Sequence, residues 1–290
     1  MKSEGVMKGD IVHDIDDAAP IEIVDRPVPW ARRLYGQAGV RRAAVVVLLA
    51  VIWQVYGVWL NNPLLFPTLG DTLVAFGEGV VSGEIPRKVL ISLRVLLMGY
   101  GLGIFVAGVL TGLAATSRFG SSLLETLTAM LNPLPAIALL PLAMIWFGLG
   151  EGSLIFVLLH AVTWVVAMNT HAGFLSVSQT LRMVGRNYGL SLPGYVFRIL
   201  VPAAFPSILS GLKIGWAFAW RTLVAAELVF GAASGKGGLG WYIFQNKNEL
   251  EIPNVFAGLL AVIAIGLIVD SLVFGQIEKR TLRRWGMQAH

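Results

Sequence analysis

Long apolar runs, separated by short polar stretches, fill the sequence from residue 43 onward. A helix that crosses a bilayer needs about 20 mostly apolar residues. Six stretches qualify, over about 43–60, 89–116, 123–149, 153–175, 206–231 and 253–277. The first stops at Asn61-Asn62-Pro63. The second is amphipathic at its start and then Gly-rich, with Gly99, Gly101, Gly103, Gly108 and Gly112. The Gly108-x-x-x-Gly112 spacing predicts close approach of a neighbouring helix. The third carries Pro133, Pro135 and Pro141, and these predict an interruption, because proline lacks an N–H and its ring crowds the preceding turn. The pattern therefore predicts an all-α polytopic membrane protein of six helices. Residues 1–42 form a polar N-terminal tail and residues 43–285 one transmembrane domain.

Composition removes the alternatives to a membrane protein. The chain has 290 residues, 56% apolar and 13% charged, about half the charged share of a soluble domain. Mean hydropathy is +0.73. Too few charges exist to cover a soluble globule, so a soluble enzyme, a disordered chain and a fibrous repeat are excluded. Cysteine is absent, which removes disulfides, thiolate metal sites and Cys nucleophiles. The net charge of +5 does not call for nucleic acid, because cytoplasmic loops of membrane proteins carry a basic excess. Residues 1–29 contain no apolar run, so no secretory leader is expected. Seven of the 17 acidic residues lie before residue 27, and the pattern gives them no role.

The basic residues set the orientation. With the N-terminus inside, 15 of the 22 Lys and Arg fall in inner segments: Lys2, Lys8, Arg26, Arg32, Arg33, Arg41, Arg42, Arg118, Arg182, Arg186, Arg198, Lys279, Arg280, Arg283 and Arg284. Only Arg87, Lys88, Lys236 and Lys247 fall outside, and Arg94, Lys213 and Arg221 lie within spans. Both termini are thereby expected in the cytoplasm.

The inner loop 176–205 is long for a compact six-helix protein. Gln179 to Tyr188 suits a short helix with Arg182 and Arg186 at i, i+4, and Gly189 suits the left-handed residue that ends it. Leu192-Pro193-Gly194 reads as a turn, and Tyr195 to Leu200 as a second short helix before Pro202 and Pro206. Such a helix–Gly–helix segment reads either as a rigid knob for a soluble partner or as an amphipathic interfacial loop.

Gly189, nine residues, then Ile199-Leu200-Val201-Pro202 resembles the EAA loop of type I ABC importer permeases. Met183, Val184 and Gly185 stand where the family has Glu-Ala-Ala. Leu131–Gly150, Gly211–Leu228, Gly237-Gly238-Leu239-Gly240 and Asp270–Trp285 are similar to the nitrate/sulfonate/taurine branch. The resemblance implies a type I importer fold and a pathway built from two permease copies. It also implies an ABC ATPase dimer beneath and a periplasmic solute-binding protein above, with no cofactor on the permease. No Gly-x-x-x-x-Gly-Lys-Ser/Thr sequence occurs, in keeping with ATP hydrolysis on a separate subunit. The loop helix near Thr180–Leu190 would be the coupling helix, with Arg182, Met183, Gly185, Arg186, Asn187, Gly189 and Pro202 as its working residues.

Ionisable groups at membrane depth are functional candidates by default. Arg221 lies about 22 Å along the fifth span, in the outer half of the bilayer, where a guanidinium can grip a carboxylate or sulfonate by two parallel hydrogen bonds. Glu227, six residues on, sits about 120° away around the helix, too far for direct pairing, and reads as solvated or paired near the outer end, or as structural there. His160, mid-way along the fourth span, reads as an interhelical hydrogen-bond partner or a pathway residue. Trp216 and Trp220 share a face at i, i+4 and serve either as packing or as a flank of the solute path. Asp270 reads as an anchor near the cytoplasmic end. The expected function is import of a small anion: nitrate, taurine, a sulfonate or an organic or aromatic carboxylate. An ion-coupled secondary transporter is the alternative. No motif for a metalloenzyme or a serine hydrolase occurs.

Overall fold

The computed structural model describes residues 37–234 and 237–281, and by internal contacts it divides into Met1–Ile52 and Trp53–His290. The acidic cluster before residue 27 and Arg283, Arg284 and Trp285 lie outside the described residues. Helix α1 (Ala38–Leu60) begins in the first unit. The second unit contains α2 (Leu69–Val81), α3 (Glu84–Thr116), α4 (Arg118–Leu131), α5 (Ala136–Phe147, opening with a 3-10 turn) and α6 (Glu151–Ser176). It continues with α7 (Gln179–Asn187), α8 (Leu192–Ala203), α9 (Phe205–Ser234), α10 (Leu239–Asn248) and α11 (Ile252–Arg280). No strand occurs among the described residues.

Four of these helices, α1, α3, α6 and α11, are long and apolar enough to cross a membrane. Two bent pairs, α4 with α5 and α8 with α9, raise the number to six. The third apolar stretch is thus two helices meeting at 85°. The break falls at Pro133 and Pro135. Pro141 does not interrupt anything, because it sits in the first turn of the regular helix that starts at Leu140, where its missing N–H has no partner to lose. Leu192-Pro193-Gly194, expected as a turn, likewise opens α8. A π turn at Val196–Leu200 carries α8 on to Ala203, and the chain then bends by 76° into α9.

Two helices had no counterpart among the apolar runs. α2 is 13 residues long, too short to span. Its start is a capping box: Thr68 Oγ1 accepts from the Asp71 N–H at 3.1 Å, and the Thr68 N–H donates to Asp71 Oδ2 at 3.3 Å. α10 has 10 residues and packs on α9 and α11.

Helix α6 is the axis of the unit, packed along α3 on one side and α9 on the other. Lipid tails are as apolar as leucine, so helices in a bilayer associate through close packing rather than through the hydrophobic effect. Here the close approach occurs at Gly99 and Gly103. A Cβ on Gly99 would stand 2.5 Å from Leu158 Cβ, and one on Gly103 would stand 2.7 Å from Val162 Cβ. Gly108 and Gly112, where the spacing predicted contact, have nothing within 4 Å of such a Cβ. The contact face lies two turns earlier on α3 than expected. Outward-facing Leu90, Phe105 and Ile145 are largely exposed, as suits a surface that meets hydrocarbon.

Candidate functional site

The break between α4 and α5 leaves main-chain groups without helical partners, and at membrane depth such groups must be satisfied by protein. His160, on α6, does this. Its Nε2 lies 3.3 Å from the Leu134 carbonyl oxygen, and Trp164 Nε1 lies 3.1 Å from its Nδ1. The indole N–H can only donate, so Nδ1 is the acceptor and Nε2 carries the proton given to Leu134. The imidazole is therefore neutral, with both nitrogens committed. Beside this pin lies a cavity of about 370 Å³, lined by the break itself, by His160 and Trp164 of α6, and by Phe218 and Thr222 of α9.

Arg221 does not line this cavity. It is exposed. Its Nε donates to the Ala217 carbonyl at 2.9 Å, and its guanidinium carbon lies 5.1 Å from the centroid of the Phe218 ring, within cation–π range. Phe218 therefore belongs both to the cavity wall and to the seat of the cation. Trp216 and Trp220 share a helix face as expected, but that face is the packed one. Trp216 meets Tyr100 edge-on at 5.4 Å, and Trp220 Nε1 donates to the Val262 carbonyl at 3.2 Å. Both are buried, and neither lines the His160 cavity.

Of the readings of Glu227 as solvated, paired or structural, the solvated one does not hold. Glu227 is 2% exposed. Ser92 Oγ, on α3, lies 2.9 Å from each of its carboxylate oxygens, and the Gly240 N–H donates to Oε2 at 2.8 Å. The Leu239 N–H donates to Ser92 Oγ at 2.9 Å, and Lys88 Nζ donates to the Gly237 carbonyl at 3.3 Å. The Gly-Gly-Leu-Gly segment is thereby locked between α3 and α9. Its glycines are steric necessities: a Cβ on Gly240 would meet the Val224 carbonyl and Glu227 Cβ, and one on Gly238 would fall on Ser92 Oγ. In the same region, burial, with Glu84 nearby, pushes the Tyr242 phenol up to about 12, so it stays uncharged.

The loop between α6 and α9 is a helical hairpin. Gly189 ends α7 at φ +60°, as the sequence predicted, and the Leu190 N–H reaches back to the Gly185 carbonyl at 3.3 Å, which completes a Schellman closure. Gly185 is buried against α8, since a Cβ there would lie 2.7 Å from the Tyr195 ring. Arg182 turns inward. Its Nη2 donates to the Phe174 and Leu175 carbonyls at 2.7 and 3.3 Å, and its Nε donates to Val177 at 3.1 Å, so it caps the C-terminus of α6. Met183, Asn187 and Tyr188 are exposed on α7 and its end. The Arg186 side chain lies outside the described residues. Pro202 sits in the last turn of α8, just before the bend. Asp270 stands in a π turn at Val269–Phe274, 3.8 Å from Lys213 Nζ. Among the described residues no group of three metal-ligating side chains occurs.

Sequence reasoning missed Leu134, Trp164, Phe218, Thr222 and Ser92. Phe218, three residues before Arg221 on the same helix face, was open to discovery by that rule. Ser92 lies 135 residues from Glu227, and no local pattern announces it.

Comparison with known proteins shows similarity to permeases of transport systems. The family model described as binding-protein-dependent transport system inner membrane component matches residues 99–281. The taurine transport system permease protein of Escherichia coli K12 is 32% identical over 263 residues, covering 88% of this chain and 93% of that protein. The nitrate import permease protein of Synechocystis is 30% identical over 247 residues, covering 83% and 88% respectively.

Proposed function

Since the chain belongs to the family of binding-protein-dependent transport system inner membrane components, we propose that it builds the membrane path of an ATP-driven importer for a small anionic solute. It is an ABC transporter permease of the type I importer fold, a multi-pass protein of the inner membrane. In this reading ATP is hydrolysed by a separate ABC ATPase dimer, two permease copies enclose the path, a periplasmic binding protein delivers the solute, and both termini are cytoplasmic. The named solutes of the relatives, taurine and nitrate, support an anion.

The observation that carries the reading is the α7–α8 hairpin. α7 is short, closed by Gly189 and backed by Tyr195, and it exposes Met183, Asn187 and Tyr188. These side chains supply the surface that meets the ATPase. Arg182 ties α7 to the last carbonyls of α6, the helix that carries His160. From His160 to Val177 the rise is about 25 Å. A movement of the ATPase that displaces α7 thus reaches the broken helix through one continuous rod, a change between two arrangements rather than a gradual deformation.

Gly189→Pro tests this. Proline holds φ near −65° and cannot adopt the +60° observed. The variant is expected to insert and run as a folded protein in detergent but to lose co-purification with the ATPase of its transport system. A normal complex would overturn the assignment of α7. Accumulation of solute by the permease alone, in liposomes with an ion gradient and no ATPase, would overturn the ATP-driven reading in favour of a secondary transporter.

A further inference from the structure

We infer that the groove walled by α3, α6, α8 and α9 is a binding site for one anionic phospholipid of the cytoplasmic leaflet, with an acyl chain in the groove and the phosphate on Arg118 and Arg198. This rests on the reading that both termini are cytoplasmic, which puts the end of α3 and the whole of α8 on the inner side.

The first ground is the wall. The groove holds about 590 Å³, within the ~300–1,000 Å³ of sites that take whole organic molecules. Its surface is formed by side chains such as Ile104 and Phe105 of α3, Val166 of α6, Phe197 of α8 and Ile208 of α9. No charged side chain lines it, and the polar ones are three threonines. Two of these, Thr111 and Thr116, give their hydroxyls to the Ala107 and Leu113 carbonyls of their own helix; the third, Thr170, is buried. The groove is left open on the α3 side, where a Cβ on Gly108 or Gly112 would meet nothing within 4 Å. Phe105 and Phe197 are 68% and 72% exposed, so the groove opens at the surface that faces hydrocarbon. A hydrophilic solute would exchange water for an apolar wall. An acyl chain gives up no hydrogen bond and gains close packing.

The second ground is the charge at its inner end. Thr116 is the last groove residue of α3, and Arg118 follows two positions later, at the start of α4. On α8, Arg198 directly follows the groove residues Val196 and Phe197. Both arginines are exposed, and among the described residues neither side chain has an ion-pair or hydrogen-bond partner. Arg182, in the same hairpin, is by contrast committed to the carbonyls of α6. A free guanidinium grips phosphate through paired N–H groups, and basic residues at the cytoplasmic ends of spans attract anionic head groups. A second copy docked groove to groove fits less well. It would present the same patch about a two-fold axis and bring four arginines to one level, with no acid in either wall. Because α8 forms part of the wall, the lipid braces the α7–α8 hairpin against α3 and α6.

The test uses the full chain, stripped of lipid in detergent and titrated with defined lipids under native mass spectrometry. Dioleoylphosphatidylglycerol and dioleoylphosphatidylcholine share their chains and differ in head-group charge, and inorganic phosphate is the probe without a chain. The glycerol lipid is expected to bind about 20-fold more tightly than the choline lipid, since each of two arginines contributes roughly a factor of five, and phosphate should not displace it. Arg118→Gln with Arg198→Gln should abolish the preference. Gly108→Leu, which extends a side chain into the groove, should weaken both lipids alike without lowering the melting temperature. Phe197→p-benzoylphenylalanine, irradiated in membranes, should give a lipid adduct. A cross-linked permease dimer in its place would assign the groove to a second copy and overturn the inference. Equal affinities, displacement by phosphate, or a preference that survives the double arginine change would overturn it as well. The orientation is read separately by Gln179→Cys, in a chain with no other cysteine: labelling by an impermeant maleimide from outside the cell would overturn the topology, and with it the choice of leaflet, whatever the lipid titration shows.

Discussion

Glu227→Gln is the substitution that most directly probes how the Gly237–Gly240 segment is held. The carboxylate accepts on both oxygens, from the Ser92 hydroxyl and from the Gly240 N–H. An amide presents one acceptor and one donor. With its oxygen turned to Gly240, its NH₂ faces Ser92 Oγ, which already accepts from Leu239 and whose own proton loses its acceptor. One buried donor is left unsatisfied, at a cost of about 1–2 kcal/mol. Glu227→Leu orphans both the Ser92 hydroxyl and the Gly240 amide, at a cost of about 3–5 kcal/mol. Hydrogen exchange at the Leu239 and Gly240 amides reads this cost directly, because these are the N–H groups in the network. Each 1.4 kcal/mol is a factor of ten. Exchange at these amides should accelerate about 5- to 30-fold in the Gln variant and by more than about 100-fold in the Leu variant, with little change at the buried amides of α6. Ser92→Ala should be partly redundant with Glu227→Gln, since both break the same bond. Wild-type exchange rates in the Leu variant would refute the claim that Glu227 holds this segment. Strict additivity of the Ser92 and Glu227 changes would refute the shared bond.

Two further outcomes follow from the packing. Gly103→Ala forces a methyl to within 2.7 Å of Val162 Cβ and should destabilise the protein by about 1–3 kcal/mol, whereas Gly112→Ala, into open space, should change the melting temperature in detergent little. Equal effects would contradict the placement of the α3–α6 contact. His160→Phe leaves the Leu134 carbonyl and the Trp164 N–H without partners, at a cost of about 2 kcal/mol or more. It should lower both stability and transport in proteoliposomes, and His160→Gln should recover part of each; full activity of the Phe variant would remove the pin from the mechanism.

The elements that reward a long apolar run were legible in the sequence, and so was the helix–Gly–helix loop, because Gly189 is demanded by a local backbone conformation. What stayed hidden was decided by tertiary partners. α2 and α10 are too short for a hydropathy search, although Thr68 and Asp71 mark the start of α2. The register of the glycine face could not be chosen between Gly99/Gly103 and Gly108/Gly112 without knowing where α6 crosses α3. Arg182 reads from its spacing as a surface contact of an amphipathic helix, yet it folds back on Phe174 and Val177 because a helix end there exposes carbonyls. Glu227 reads as an outer-end carboxylate because neither Ser92 nor the Gly240 amide can be foreseen as its partner.

These polar side chains follow one rule, and it isolates Arg221. At membrane depth the costly groups are main-chain carbonyls exposed by breaks and helix ends, and this chain covers them with donors from elsewhere. His160 covers Leu134, and Arg182 covers Phe174, Leu175 and Val177. The ion pairs, by contrast, are long. The pairs of Arg94 with Glu151 and of Lys213 with Asp270 and Glu278 measure 3.6–3.8 Å and are partly exposed, a geometry that adds little stability. Arg221 follows neither pattern. Its one described hydrogen bond goes to Ala217, a carbonyl four residues back in the same helix, which needs no second donor. A guanidinium kept exposed, with no carboxylate held against it among the described residues, suits the proposed role of Arg221 as a contact for a passing anion.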